Sequence, residues 1–580
     1  MSRAFAKIFI LVFAAAALFA AAPAAYAEDG TLKAAPAAPV FLRYLQALKA
    51  RGPARAPGTL TGRGLGWIPP PRGAVAASAA AAGKKKGVKK VSYAASYDLR
   101  EQGRVTTVKD QGSCGDCWAF GAMASLESYF MPGETLDLSE ADLDANSGFD
   151  FGSCGGGNDY MSAAYLTRWS GPLPETSSTV VKHAQNIIFL TPRSGPTDND
   201  RIKAALLTYG ALGAAFYYND SYCMPNSLVC SSYYADVSTS SYYSNHEVAI
   251  VGWDDDYPKA NFTSVPVGQP AGNGAFICKN SWGTGWGESG YFYVSYYDGV
   301  FGRDAYATAF TGEAVTNYAR VYSYDTLGWV QDYGFGAATA WYANIFTAAG
   351  NEGLKAVGFY TNDTATAYTV YVYTGVTAGQ PASGALAYSG GGSVSSPGYY
   401  TVPVGYLSVD AGERFSVVVK AVNASYTYPI PLEANWPGYS SGASASGNSY
   451  LSSDGSSWQA MPAASLGITP TNANLKAYSV TQPPEGTVEM TDNLFRPVRN
   501  PAVQCKINVT IFAGGNVTVK VYTINGGFVR TIYNGPQSKG ASDYFWDGRT
   551  ESGAVAASGL YLVNVKGPNT NKTEKVVLIK

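Results

Sequence analysis

Histidine is almost missing. The 580 residues contain two, His183 and His246, so any chemistry that needs an imidazole near neutral pH must draw on these. Charge is also scarce: Asp, Glu, Lys and Arg make up 14% of the chain, about half the usual share. The formal net charge is -1. A chain without a basic field does not attract a phosphate backbone, which excludes nucleic acid as an expected partner. There are seven cysteines, too few for a scaffold stapled by disulfides. Buried apolar surface must do most of the work instead. Beyond residue 22 no run is long and apolar enough to span a bilayer, so no integral membrane segment is expected once the leader is removed.

What is abundant points to strands and turns: 65 Gly and 43 Tyr, with many Ser and Thr between short alternating stretches. The length predicts two to four domains. Arg3 and Lys7 precede an apolar run over 8–22, and Ala25-Tyr26-Ala27 offers a small-residue cleavage site. Residues 1–27 therefore read as a secretory signal peptide. Residues 28–92 are rich in Ala, Pro, Gly and Lys, with one short helical candidate at 41–50. The composition fits a flexible linker or a propeptide cleaved near Lys84-Lys85-Lys86 and Lys89-Lys90. We take it as a propeptide that keeps a cleft closed, giving a mature chain that begins between Lys86 and Tyr97.

Residues 93–311 carry a helical pattern from Cys117 to about Met131, stopped by Pro132-Gly133, and a second helix capped by Ser139. Strands are expected at 247–253, 275–279 and 291–297. Helices first and strands later is an α+β pattern. Residues 312–478 alternate as a β-sandwich does, as in Tyr368-Thr369-Val370-Tyr371-Val372-Tyr373. Pro483-Pro484 marks a linker to a last unit, 480–580, with strands at 517–522 and 559–565 and a hairpin turn at Asn525-Gly526. Residues 28–311 are expected to fold without the two later units.

The chemistry gathers in the first of these units. Gln111-Gly112-Ser113-Cys114-Gly115-Asp116-Cys117-Trp118-Ala119-Phe120 leads into an apolar helix. Cys117 should sit in its first turn, where unpaired N–H groups and the helix dipole favour a nucleophilic thiolate. His246 stands just before the apolar strand Val248-Ala249-Ile250-Val251, at the mouth of a cleft. His183 has no acid or thiol in its immediate sequence and reads as a surface or interdomain residue. Asn280, in Lys279-Asn280-Ser281-Trp282-Gly283-Thr284-Gly285-Trp286-Gly287, can fix the imidazole tautomer, with Trp282 as a roof. A thioredoxin-like site is the rival reading of Cys114-Gly115-Asp116-Cys117, but no early strand of a βαβ unit precedes it. A zinc site would need a second ligand pair, and Cys223 and Cys230 have no nearby histidines. No cofactor or metal is expected.

Three segments, Gln111 to Phe120, Asn245-His246-Glu247-Val248 and Asn280 to Gly287, resemble the papain-like cysteine protease family. Their order is Cys, His, Asn, and the histidine follows the cysteine by roughly 130 residues, as in the papain type. The resemblance covers residues 93–311. It implies a helical half plus a β-barrel-like half. It gives Gln111 as the oxyanion donor, Gly156 and Gly157 as the strand that pairs with the substrate, and Cys114 as the disulfide partner of Cys154. The implied function is cysteine endopeptidase acting on proteins or peptides. Asp159, just past the glycines, is either a wall of a side-chain pocket or an exposed acid. Asp116 departs from the family's small uncharged residue and is expected to be solvated. Cys223 and Cys230 can form a local disulfide, and Cys278 reads as an inert core thiol.

Residues 312–478 resemble the lectin-like sandwich that follows some bacterial papain-like proteases. Trp329 and Trp436 are either sugar-stacking or core residues. Residues 480–580, through Val519-Lys520-Val521-Tyr522, Trp546-Asp547-Gly548-Arg549 and Ser558-Gly559-Leu560-Tyr561, resemble the immunoglobulin-like domain of the flagellar hook-capping family. A polysaccharide or cell-surface ligand for these units, and a secreted or surface location, follow as expectations. The alternative is a catalytically inactive adhesin that retains a protease fold. A dead copy would normally have lost one of Cys117, His246, Gln111 or Asn280, and all four are present.

Overall fold

The segment expected as a propeptide, 28–92 and called the leader from here on, contributes ordered structure from its first described residues. Strand β1 (Lys33–Ala34) is followed by helix α1 (Pro39–Arg51), where the sequence predicts one. The structure is a computed structural model that describes residues 31–51, 59, 62–73, 91–223, 230–262, 268–462, 467–481, 485–568 and 570–580. The expected signal peptide, the Lys-rich tract at 84–90 and Pro483-Pro484 lie outside these residues. Among the described residues no helix is long and apolar enough to cross a membrane.

After strand β2 (Ser96–Asp98) comes α2 (Cys117–Phe130), apolar on most of its circumference and buried accordingly. Helix α3 (Glu140–Asn146) is capped as expected, Ser139 Oγ accepting from the Asp142 N–H. Helix α4 (Asp159–Thr167) is capped by Asn158, whose side chain accepts from Tyr160 and Met161. The remaining elements of this unit are β3 (Lys182–Leu190), α5 (Asp200–Tyr209), β4 (Leu212–Phe216), β5 (Ser232–Tyr233), β6 (His246–Asp254), β7 (Ala275–Lys279), β8 (Tyr291–Ser295) and β9 (Ala307–Ala314).

The expected barrel-like half is corrected here: no closed barrel forms. The strands belong to an open twelve-stranded sheet that runs on into the next unit. Its order is Arg320–Tyr322, Leu475–Val480, Glu352–Thr361, Gly398–Val409, then β3, β9, β4, β6, β7, β8 and β5, with β2 also paired to β6. The join is short: Gly398 pairs with Ile188 and Tyr399 with Ile187. A second sheet of the sandwich has six strands centred on Arg414–Asn423 and Thr339–Thr347. The last unit has two sheets, of three and five strands, and a core of its own built on Val517, Val519, Val521, Trp546 and Val563.

The first two units share a core. Trp118 and Tyr165 of the catalytic unit and Trp329, Tyr360, Tyr399 and Trp436 of the sandwich lie in one buried cluster with Phe41 of the leader. Phe41 meets Trp436 and Tyr439 edge-on at 5.2 and 5.3 Å. Trp329 and Trp436 are both buried, so packing rather than sugar stacking accounts for them. His183 is interdomain rather than surface: its ring stacks on Trp169 at 3.6 Å, and Trp169 stacks in turn on Tyr478. The boundary expected at 311/312 falls inside β9. This packing argues against independent folding of residues 28–311. A chain cut after residue 311 is expected to aggregate or to lose its cooperative unfolding transition, because Tyr160, Phe189 and Phe149 would lose the Trp329 and Tyr439 rings they pack against. A chain ending at 481 should stay monomeric. Sedimentation of the two would decide, and a monodisperse, fully folded short form would contradict the shared core.

Candidate active site

Cys117 is the first residue of α2 and is fully buried. The turn before it is fixed from two sides. The Cys114–Cys154 disulfide ties it to the loop that ends at α4, and the Gln111 backbone N–H donates to Ser281 O at 2.8 Å. A second disulfide joins Cys223 to Cys230. Cys117, Cys278 and Cys505 are free and buried, and burial pushes the Cys278 thiol well up, as an inert core position requires.

His246 opens β6, and Asn280 follows β7. These strands are paired antiparallel, Ala249 opposite Lys279, so the ladder itself brings the two side chains together. His246 Nε2 lies 2.8 Å from Asn280 Oδ1. The Ser281 N–H also donates to Asn280 Oδ1, at 2.9 Å, which marks that atom as the acceptor and makes Nε2 the protonated ring nitrogen. Nδ1 has no hydrogen-bond partner among the described residues and is left to take a proton. Trp282 stacks on the imidazole, centroids 4.5 Å apart and planes at 22°. Gln111 Nε2 donates to Cys114 O at 2.7 Å, and its Oε1 accepts from Ser281 Oγ. An amide has two N–H bonds, so one remains for an oxyanion. Sequence reasoning did not find Ser281 as the group that orients Gln111.

The leader lies across this site. Ile68 N–H donates to Gly157 O and Gly157 N–H to Gly66 O, both at 2.8 Å; Trp67 N–H donates to Asn245 O at 3.1 Å. Trp67 and Gly157 form a parallel bridge. Farther back, Gly64 N–H donates to Gly112 O at 3.0 Å. The approach is too close for a side chain. A Cβ on Gly64 would lie 1.8 Å from Cys114 O, and one on Gly66 would lie 1.9 Å from Gly115 O. Gly157 thus pairs with a peptide strand, although the strand it holds is the chain's own. The leader's Arg63 also pairs with Asp110 beside Gln111.

Covered in this way, Cys117 and His246 are both shifted towards their uncharged forms. Burial lowers the His246 pKa to about 4, against the opposing hydrogen bond that its Nε2–H donates to Asn280. Burial, and then the neighbouring Glu247 carboxyl, push the Cys117 thiol up; the backbone N–H groups of Glu247 and Gly66 favour the thiolate but are outweighed. The thiolate expected from the helix start is disfavoured here, because desolvation in a closed cleft opposes the charged form. Glu247 is buried beside Asp159, and burial followed by that neighbour raises its pKa well. The two carboxyls share a hydrogen bond, in which the protonated Glu247 is the donor and Asp159 the acceptor. A charged residue directly after His246 in an apolar strand was the available signal.

Two acids are buried. Asp159, read as a pocket wall or an exposed acid, accepts from Thr308 Oγ1 at 2.8 Å, and burial raises it to about 6. It lines a small recess together with Trp67, Arg72, Tyr160 and Asp304. Asp116 is buried rather than solvated, and its pKa rises to about 7, from burial first and Asp144 second. Its folded pKa lies above the ordinary carboxylate value, so the cost of charging it is absent below about pH 4 and grows as pH rises to about 7.

Comparison with known proteins agrees with this geometry. Residues 93–306 match the family model for papain family cysteine proteases, 321–479 a lectin like domain, and 503–571 the FlgD Ig-like domain. The viral cathepsin of Lymantria dispar multicapsid nuclear polyhedrosis virus is 30% identical over 213 residues, 34% of this chain and 53% of that protein. Cysteine proteinase 2 of Entamoeba histolytica is 29% identical over 211 residues, 34% and 62% of the two chains. The chain thus spans between half and two thirds of the length of these relatives. The crystal structure of the cysteine protease and lectin-like domains of Cwp84, a surface layer associated protein of Clostridium difficile, superposes with TM-score 0.62 at 24% identity, covering 78% of this chain and 99% of that one. That likeness shows a common fold across both units.

Two outcomes follow from the closed cleft. Asp116→Asn should raise the melting temperature more at pH 8 than at pH 4, since only the charged form is penalised; equal gains at both would disprove the buried acid. Gly66→Ala should prevent the leader strand from seating, so that the uncleaved chain is labelled by a thiol-directed epoxide at least tenfold faster than wild type. Unchanged labelling in a timed reaction would count against the blocking role.

Proposed function

We propose that this chain, in which residues 93–306 form a papain-family cysteine protease domain, is an exported cysteine endopeptidase held latent by its own leader. The supporting observation is the His246–Asn280 pair under Trp282 beside a cysteine at a helix start, with a peptide strand hydrogen-bonded to Gly157 across them. When residues 62–73 leave, water regains the cleft and the desolvation that keeps both groups neutral is relieved. The Cys117 proton passes to His246 Nδ1. The thiolate attacks a peptide carbonyl, and the oxyanion is met by the second N–H of Gln111 Nε2 and the backbone N–H of Cys117, one of the unpaired donors at the start of α2. His246 gives its proton to the leaving amine. A water deprotonated by neutral His246 then hydrolyses the thioester.

Gly156 and Gly157 hold the substrate backbone in this reading, and Asp159 with Asp304 forms an acidic wall of the recess beside it. Burial raises Asp304, like Asp159, to about 6. Processing in the Lys-rich tract would free the cleft. Export is supported by the apolar run at 8–22 and by two disulfides, which need an oxidising compartment. A surface location is supported by the fold shared with a surface layer associated protein. A carbohydrate ligand for the sandwich would need a site other than the buried Trp329 and Trp436.

Cys117→Ala should abolish peptide hydrolysis and epoxide labelling while leaving the unfolding transition in place, because no other free thiol stands at a helix start. Turnover within tenfold of wild type would sink the assignment. Gln111→Ala should slow acylation by roughly 10²-fold, the usual cost of one oxyanion donor, with substrate KM little changed. Single-turnover kinetics at the wild-type rate would remove Gln111 from that role.

A further inference from the structure

Beyond the cleft the leader continues as Pro69-Pro70-Pro71 and ends its described course at Arg72 and Gly73. Three prolines form a stiff extended spacer, and at ~3.1 Å per residue they carry Arg72 on the order of 12 Å past Ile68. Pro71 O accepts from the Ala38 N–H at 2.8 Å, which fixes the far end.

Arg72 enters a socket made by both units. Its Nε donates to Asp332 Oδ2 at 3.0 Å, and its Nη1 donates to Tyr160 OH at 2.9 Å. Its guanidinium carbon sits 3.5 Å from the centroid of the Trp329 ring. Arg72 and Asp332 are both buried, with side chains 5% and 1% exposed. The carboxylate is held from several directions: Trp329 Nε1 and Asn362 Nδ2 donate to Oδ1 at 2.7 and 2.8 Å, and Tyr426 OH donates to Oδ2 at 3.1 Å. Asp332, Trp329, Asn362 and Tyr426 come from the sandwich, and Tyr160 from α4. Without Arg72 the carboxylate keeps its acceptors oriented, the indole face is open, and a buried negative charge is left without a cation. An uncompensated buried charge of this kind is costly. A planar fork that can both stack and donate fits it better than an ammonium does.

We propose that this socket, once Arg72 departs with the leader, is a substrate exosite: it takes an arginine side chain of the protein being cleaved, several residues from the scissile bond on the Gly157 side of the cleft. The leader then occupies two sites that a substrate uses, the backbone rail at Gly157 and the guanidinium socket. The sandwich takes part directly in substrate choice. This inference rests on the peptidase reading above, and binding and turnover test the two separately.

The test uses full-length enzyme from which the leader has been removed, and peptides in which arginine or its uncharged analogue citrulline is placed in turn four to seven residues from the scissile bond, on each side. Affinity is measured with the Cys117→Ser chain processed in trans, and turnover with wild type. At one position the arginine peptide should bind at least tenfold more tightly than its citrulline twin, with the same ratio in KM and little change in kcat. In Asp332→Asn that ratio should collapse towards one. Equal binding of arginine and citrulline peptides at every position would overturn the exosite without needing any socket variant. So would a ratio that survives Asp332→Asn. Discrimination in binding with no hydrolysis by wild type would leave the arginine socket standing as a binding site and overturn the peptidase reading alone.

Discussion

The backbone hydrogen bonds between Gly66–Ile68 and Gly157 hold a strand of the chain's own leader over Cys117, and the state of the whole site follows from that cover. They exclude water from a thiol and an imidazole that need it to exchange a proton and separate charge. Desolvation then outweighs the backbone N–H groups that reach Cys117 and the hydrogen bond between His246 and Asn280. On the proposed reading, latency needs no distortion of these groups. His246, Asn280, Trp282 and Gln111 are already arranged, and what is withheld is the solvent and the room for a substrate carbonyl. The glycines at 64 and 66 matter because they let the backbone approach Cys114 O and Gly115 O as closely as it does.

The same leader ties the catalytic unit to the sandwich. Strand β1 pairs with Gln331–Gly334, Phe41 lies between Trp436 and Tyr439, and Arg72 bridges Tyr160 and Asp332. Beneath it the two units meet through a continuous sheet and a common cluster of large aromatic side chains. So many buried aromatics account for the scarcity of charge in the sequence. A chain that spends its tyrosines and tryptophans on internal contacts can hold three units with few surface ion pairs. The first two units behave as one body around the leader, whereas the last unit has its own core.

Much of this was determined by the sequence alone. Local patterns settle local structure: the helix from Cys117, the Ser139 cap and the strand at 275–279 are set by residues a few positions apart. Local setting was enough to single out Cys117, His246 and Asn280 as candidates, because one imidazole stood just before an apolar strand and one cysteine at a helix start, while Gln111 joined them only through the resemblance to the papain-like family. The tertiary structure decided what depends on distant surfaces. Asp116 and Asp159 read as candidates for solvent, yet each is buried by segments far away in sequence, which moves its pKa towards neutrality. The sheet stays open because Gly398 and Tyr399 add to the edge of β3, a pairing across some two hundred residues that no local signal announces. Arg72 was one arginine among many in a Pro-rich stretch until Asp332 and Trp329, brought from another unit, closed around it. Periodicity and turn chemistry act over a few residues, whereas desolvation and ion pairing act through space, and only folding places those charges together.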